Sequence, residues 1–600
     1  VLIFFKDLNR LFEPQDRRRM LGVFLMMGVQ SALEMVSIAV VLPVIDIALN
    51  PARLEKYGPL AAGLRAMGIA DPAQVVLALS CGLVTIFIGK NLALLAVLWW
   101  LNSTVQTLQY GFRARLLAGY LRQPFQWILR QNSATVMRNL FSSAASVFAG
   151  GVTGMFTVVL ESLMVVGVGG VLLWVEPVAT LVAAAIVGTV AGVYLVATRR
   201  HVVTWGRRVD FLLGHMMRMV NEALATLKEV KLRHCEEHFV GAYRDAGMEV
   251  AVTRVRLAMN GVAPRPVGEI ILVVAVVAVV LVLWGVQQRP TDDILPVLAM
   301  FAAAGIRIMP SAARIVAAAS NVRESRGPLE NILRDFRNFQ PAEAAPATGS
   351  GFRFRQSLVA EGVGFRYDGA AVDSLDGIDL SIAKGESVAF IGTTGAGKTT
   401  LVDILTGLLA PTRGRVLVDG ISLPEVAYDL QRSVGYVPQT IVLTDESLRH
   451  NIAFGLPAAE IDDDRVWRAA RLAQIDDFIR SLPDGLDTEV GERGVRISGG
   501  QRQRIGIARA LYHDPDILVM DEATSALDVV TEHQFVEAIN AVRGDKTVIV
   551  IAHRLSTVRK CDRVVLLDQG RLVGTGLFDE LAATHPRLSE MVSIDQDTRS

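Results

Sequence analysis

Cysteine is scarce in this 600-residue chain, with only Cys81, Cys235 and Cys561 and no CxxC pair among them. That excludes a disulfide-stapled scaffold and a thiolate zinc site. Net charge is missing as well: 60 basic residues balance 60 acidic ones, so nothing favours a nucleic-acid partner. The charge that exists is unevenly spread. Long windows of the first half have almost none, and Ile270 to Trp284 contains no charged residue. No cleavable signal peptide is expected before the first apolar stretch, so internal helices would have to insert the chain in a membrane.

Six stretches approach or exceed the roughly 20 apolar residues that span a bilayer. They lie near Leu21–Ile47, Val75–Leu101, Phe141–Trp174, Pro177–Thr198, Val267–Trp284 and Ile294–Ala319. Arg17, Arg18 and Arg19 precede the first. The second-to-third connection carries Arg113, Arg115, Arg122, Arg130 and Arg138 with no acid, and the fourth-to-fifth is basic from Arg199 through Arg233. The third-to-fourth turn at Glu176 lacks basic residues, and the fifth-to-sixth has only Arg289. The positive-inside rule then puts the N-terminus, both long connections and everything after the sixth span in the cytoplasm. The long connections keep a helical pattern without Gly/Pro clusters, so spans two to five are expected to continue well beyond the membrane.

The second half carries nucleotide chemistry. Gly392, Thr393, Thr394, Gly395, Ala396, Gly397, Lys398, Thr399 and Thr400 form a GxxxxGK[ST] loop, whose backbone N–H groups wrap nucleotide phosphates. Lys398 would reach the β- and γ-phosphates and Thr399 would sit on Mg²⁺. Ile517–Asp521 reads as a buried strand delivering Asp521 to the metal, and Glu522 beside it is placed to act as general base. About a hundred residues after the loop comes Ile497, then Ser498, Gly499, Gly500 and Gln501.

This last run resembles the LSGGQ signature of ATP-binding-cassette (ABC) ATPases, with Ile497 in place of the usual Leu. The resemblance implies further roles. Tyr367, 25 residues before Gly392, would stack on adenine. Gln439 would touch Mg²⁺ and report nucleotide state to the membrane domain. Asp528, in Ser525–Asp528, would belong to the D-loop, and His553 would contact the γ-phosphate as the switch histidine. Tyr120–Trp127 and Leu224–Val230 resemble the coupling helices of ABC exporters, and Thr488–Gly494 resembles the exporter loop that meets them. The implied architecture is an all-α six-helix transmembrane domain (1–337), a Pro/Gly-rich linker (338–350) and an α/β P-loop ABC ATPase domain (351–600). One ATPase per chain implies an obligate homodimer, using ATP and Mg²⁺, in the bacterial cytoplasmic (inner) membrane.

Substrate clues are confined to the spans. Lys90 interrupts the second, Arg265 opens the fifth, and Arg307 and Arg314 lie seven apart on one face of the sixth. Converging bases would suit a phosphate or pyrophosphate; the alternative is pairing, as of Arg265 with Glu269 four residues on. Ala32–Val44 and Arg307–Ile315 resemble PglK-type transporters, flippases for polyprenyl-pyrophosphate-linked oligosaccharides that serve protein glycosylation. The resemblance implies that Lys90, Arg265 and Arg307 face the cargo. A lipid A or phospholipid exporter, or a peptide or drug exporter, would share the architecture. The outside segment Asn50–Pro72 has a Leu54/Leu60/Leu64/Met67 spacing suited to a short interfacial helix, read as a cap on the bundle.

Overall fold

A computed structural model describes residues 2–9, 11–49, 51–67, 69, 71–286, 291–339, 351–491, 494–521, 544–552, 555–586 and 588–589. The chain divides into two compact units: Val1–Gln123 with Arg130–Gln340, and Pro341–Ser600 with Pro124–Leu129.

The first unit is helical. Among the described residues, six helices are long and apolar enough to cross a membrane: Pro14–Ser37, Ala73–Leu121, Ser133–Val175, Pro177–Ala225, Glu236–Gly285 and Val297–Asn338. The second-span helix, Pro72–Leu121, has 50 residues, about 75 Å at 1.5 Å per residue and more than twice a bilayer core of about 30 Å. Ile270, Val273, Val277, Leu281 and Trp284 lie exposed along the fifth span, the opposite of a soluble helix and suited to lipid as solvent. The first span stops at Ala39 and resumes as Val41–Leu49. Pro43 accounts for the break, because its ring abuts the carbonyl four residues earlier and it has no N–H to donate.

The outside segment folds as a helix, Gly58–Ala66. Leu64 packs in a cluster with Ile47, Val75 and Leu79, joined by Leu54 and Leu60, while Met67 points away. Its apolar spacing therefore seals the ends of the first two spans. At the far end of the bundle a buried polar network joins four helices. Asn139 Nδ2 donates to Asp335 (2.7 Å), Ser143 Oγ donates to Asp210 (3.2 Å), and Asn331 Nδ2 donates to the other Asp210 oxygen (2.8 Å). Tyr120, at the end of the second span, also donates to Asp335. Such groups are costly unless paired, so the network specifies how these helices meet. The short helices Phe125–Leu129 and Leu227–Arg233 occupy the expected turns of the two long connections.

The described residues of the second unit form two sheets. β1 (Ser357–Phe365), β2 (Leu375–Ala383), β4 (Arg413–Val418) and β5 (Ile421–Ser422) pair antiparallel in the order β2-β1-β4-β5. The other sheet runs β10-β9-β3-β8-β7-β6, from β10 (Arg571–Gly576) and β9 (Arg563–Asp568) through β3 (Ser387–Ile391), β8 (Thr547–Ile551) and β7 (Ile517–Asp521) to β6 (Val434–Val437). Its neighbours are parallel except β9 and β10. β3 and β8 are buried throughout, as expected of parallel strands covered on both faces.

Candidate nucleotide and headgroup sites

The glycine loop follows buried β3 and opens the helix Lys398–Leu405. That junction offers an anion site, because backbone N–H groups and the helix dipole point the same way. Gly397 has φ +96°, and a Cβ there would lie 2.6 Å from the Ser374 carbonyl oxygen, so only glycine fits. Buried Lys398 donates to the carbonyls of Gly392 (2.9 Å) and Thr393 (3.0 Å), holding its ammonium across the loop mouth. Thr393, Thr394, Gly395 and Thr399 are exposed, whereas Thr400 is buried beside the Tyr367 hydroxyl at 3.2 Å. Thr399 is therefore the hydroxyl left exposed at the loop mouth, and Thr400 ties the helix to the aromatic. Tyr367 lines an open cleft of about 530 Å³ with Arg366, Asp368 and Arg413.

Asp521 ends β7, and Val437 of β6 pairs with Met520 beside it, so Gln439 leaves the sheet at the same edge. Tyr436 donates to Asp521 (3.1 Å). Burial, then the Asp521 charge, push the Asp403 carboxyl up to about 6, and the same two causes raise the Tyr436 hydroxyl. The cause in both is the same: burial and a neighbouring negative charge disfavour a further one. Tyr436 and Asp403 carry no signal of this role in the sequence. Tyr436 lies in the Gly435–Gln439 run that carries Gln439 but has no role of its own there, Asp403 follows the glycine loop on its helix, and only the tertiary fold brings them to Asp521. Glu522, Asp528 and His553 lie outside the described residues.

Ser498 caps the helix Gly499–Leu511 in a capping box: its Oγ accepts from Gln501 N (3.2 Å), and Gln501 Oε1 accepts from Ser498 N (3.0 Å). A Cβ added at Gly499 would meet nothing within 4 Å, so this end presents open backbone. Ile497, by contrast, is buried in the ATPase core. The departure from Leu is thus an exchange of one apolar core residue for another of equal size.

Each of the four intramembrane bases lies beside an acid of the same chain. Lys90 and Arg307 meet at Glu34: Lys90 Nζ donates to Oε1 at 3.0 Å, and Arg307 Nε lies 2.6 Å from the same oxygen. Glu34 is 2 % exposed and Lys90 8 %. Arg314 forks onto Glu161 at 2.5 and 3.1 Å, and Arg265 reaches Glu269 at 3.7 Å with both exposed. The physical reason is that an apolar span holds a charge only beside its opposite. Basic residues alone do not point to Glu34 and Glu161 in the sequence. The signal that does is an ionisable residue of either sign inside an apolar window.

The ABC transporter family profile matches residues 375–525. The chain is 31% identical over 496 residues to an "ATP-dependent lipid A-core flippase" of Thiobacillus denitrificans, covering 82% of this chain and 84% of the relative. A protein of the same description from Chromohalobacter salexigens is 29% identical over 519 residues, covering 86% and 88%. Among solved structures, a bacterial Atm1-family ABC exporter with ATP bound superposes with a TM-score of 0.78 at 25% identity, covering 96% of this chain and 98% of that one. With an α/β cassette built for ATP and Mg²⁺ behind six membrane-capable helices, and with relatives along nearly its whole length, the chain belongs to the ABC exporters as a half-transporter that couples ATP hydrolysis to transport.

Proposed function

We propose that this half-transporter acts as a homodimer that flips a phosphorylated saccharolipid of the lipid A-core type to the outer leaflet. The observation that carries the reading is the cluster of Lys90 and Arg307 on one carboxylate, two cations to one anion inside the spans. The excess positive charge suits an anionic headgroup, whose acyl chains can stay in the bilayer. Both full-length relatives are described as lipid A-core flippases, which supports this cargo over a polyprenyl-pyrophosphate oligosaccharide. The latter rests on Ala32–Val44 and Arg307–Ile315 alone and stands second. Arg314, neutralised by Glu161, and Arg265, exposed beside Glu269, are assigned no direct contact with the headgroup.

In the ATPase, residues 392–397 would wrap the phosphates, Lys398 would neutralise them, and Thr399, Gln439 and Asp521 would hold Mg²⁺. Mg²⁺ supplies charge stabilisation on the transferred phosphoryl group. Glu522 would polarise the attacking water, His553 would sense the γ-phosphate, and Tyr367 would stack on the base. Ser498, Gly499, Gly500 and Gln501 would close the partner's site, together with Asp528. The cassette would face the cytoplasm, following the basic connections.

The test is ATP-dependent movement of fluorescent lipid A in proteoliposomes, run beside a fluorescent polyprenyl-pyrophosphate oligosaccharide. Lipid A is expected to move and to stimulate hydrolysis. Movement of the oligosaccharide alone would transfer the assignment to the second reading.

A further inference from the structure

Glu34 has no place in the nucleotide chemistry and, as an anion, no direct use for an anionic headgroup. Yet it is the most buried acid among the described residues of the spans, and its one oxygen Oε1 is ion-paired with both Lys90 and Arg307. Lys90 is further fixed against the Phe87 ring, 4.1 Å from its centroid. One turn earlier on the same face stands Gln30, 3 % exposed, whose amide nitrogen and oxygen both lack a hydrogen-bond partner. A buried amide without partners is costly and points to a group that it meets in another state. Arg307 keeps 28 % of its side chain open, so the cluster has a way in.

We infer that Glu34 is a built-in counter-anion, occupying the headgroup site until a phosphate of the cargo displaces its carboxylate from Lys90 and Arg307. This rests on the reading above that these two bases meet the headgroup. A bare pair of buried cations would take any anionic lipid, and the surrounding bilayer is full of singly charged phosphodiesters. With Glu34 in place, an entering anion must outcompete a carboxylate already seated. A phosphomonoester of charge about −1.5 to −2 brings more charge and three acceptor oxygens, whereas a phosphodiester merely exchanges one charge for another. Gln30 then gains an acceptor for its amide. Glu34 is in these terms a specificity-determining residue that rejects bulk phospholipid by competition rather than by shape.

The test uses the full-length dimer in nanodiscs, with ATPase stimulation as readout. The ligands are bisphosphorylated lipid A, its dephosphorylated form and phosphatidylglycerol. Glu34→Gln is expected to lower the half-saturating lipid A concentration about tenfold, equivalent to about 1.4 kcal/mol, and to create a phosphatidylglycerol response absent from the wild type. The dephosphorylated form should show no shift. Glu34→Asp, which keeps the charge on a shorter arm, should move the same way by a smaller factor, and it carries the test if the glutamine variant fails to assemble. Unchanged or higher half-saturation in an assembled variant, without a gained phosphatidylglycerol response, overturns the inference. If lipid A stimulates neither protein while Glu34→Gln still gains the phosphatidylglycerol response, the exchange stands and the lipid A-core reading falls.

Discussion

Thr399 and Thr400 are neighbours in the chain and face opposite ways. Thr399 is exposed at the loop mouth, and Thr400 is turned in on Tyr367. Thr399→Val should therefore lower Mg²⁺-dependent hydrolysis by about tenfold or more, since it deletes the hydroxyl offered to the metal. Thr400→Val should cost only the net worth of one neutral hydrogen bond, about 0.5–1.5 kcal/mol, read as a small fall in Tm. Equal losses of turnover would put both hydroxyls on the nucleotide. For Glu522→Gln, loss of the general base predicts a drop in turnover of about a hundredfold or more with ATP binding retained. Near-normal hydrolysis by that variant would move the base elsewhere.

Helix contacts inside the first unit depend on small residues. Gly150 and Gly154 of the third span, four apart, face Ala318, Asn321, Val322 and Ser325 of the sixth. A Cβ at Gly154 would lie 2.8 Å from the Ala318 carbonyl oxygen, so the two backbones almost touch. Lipid offers no hydrophobic drive to push spans together, and close approach of small residues is what binds them. Gly154→Leu should thus overpack the contact, costing about 1–3 kcal/mol. Thermal unfolding of the detergent-solubilised protein should report the loss as a lower Tm. An unchanged Tm would mean that this contact is not formed.

At the scale of the whole molecule, the chain has one glycine loop and one signature helix, and each is complete locally without the other. Ser498 and Gln501 satisfy one another at the helix start, leaving the Gly499 backbone open to a partner. The dimer is therefore expected to be the hydrolytic unit, with two equivalent sites that each draw on both chains. Size-exclusion fractions should show ATPase activity in the dimer peak and none in the monomer. Full activity in a monomer would exclude composite sites.

Sequence by itself determined the six spans, the glycine loop, the signature and the order of the two units. These follow from local rules: the length of apolar runs, the spacing of glycines, the placement of basic connections. Tertiary structure decided what depends on neighbours distant in the chain. It turned Thr400 away from the loop mouth, brought Tyr436 and Asp403 to Asp521, and buried Ile497 in the core. It also redistributed the intramembrane charge. Lys90, Arg307 and Glu34 come from the second, sixth and first spans, and no periodicity within one helix records which opposite charge another helix will present. The cost of an unpaired ion in an apolar bundle makes such pairing necessary, but only the packing of the spans selects the partners.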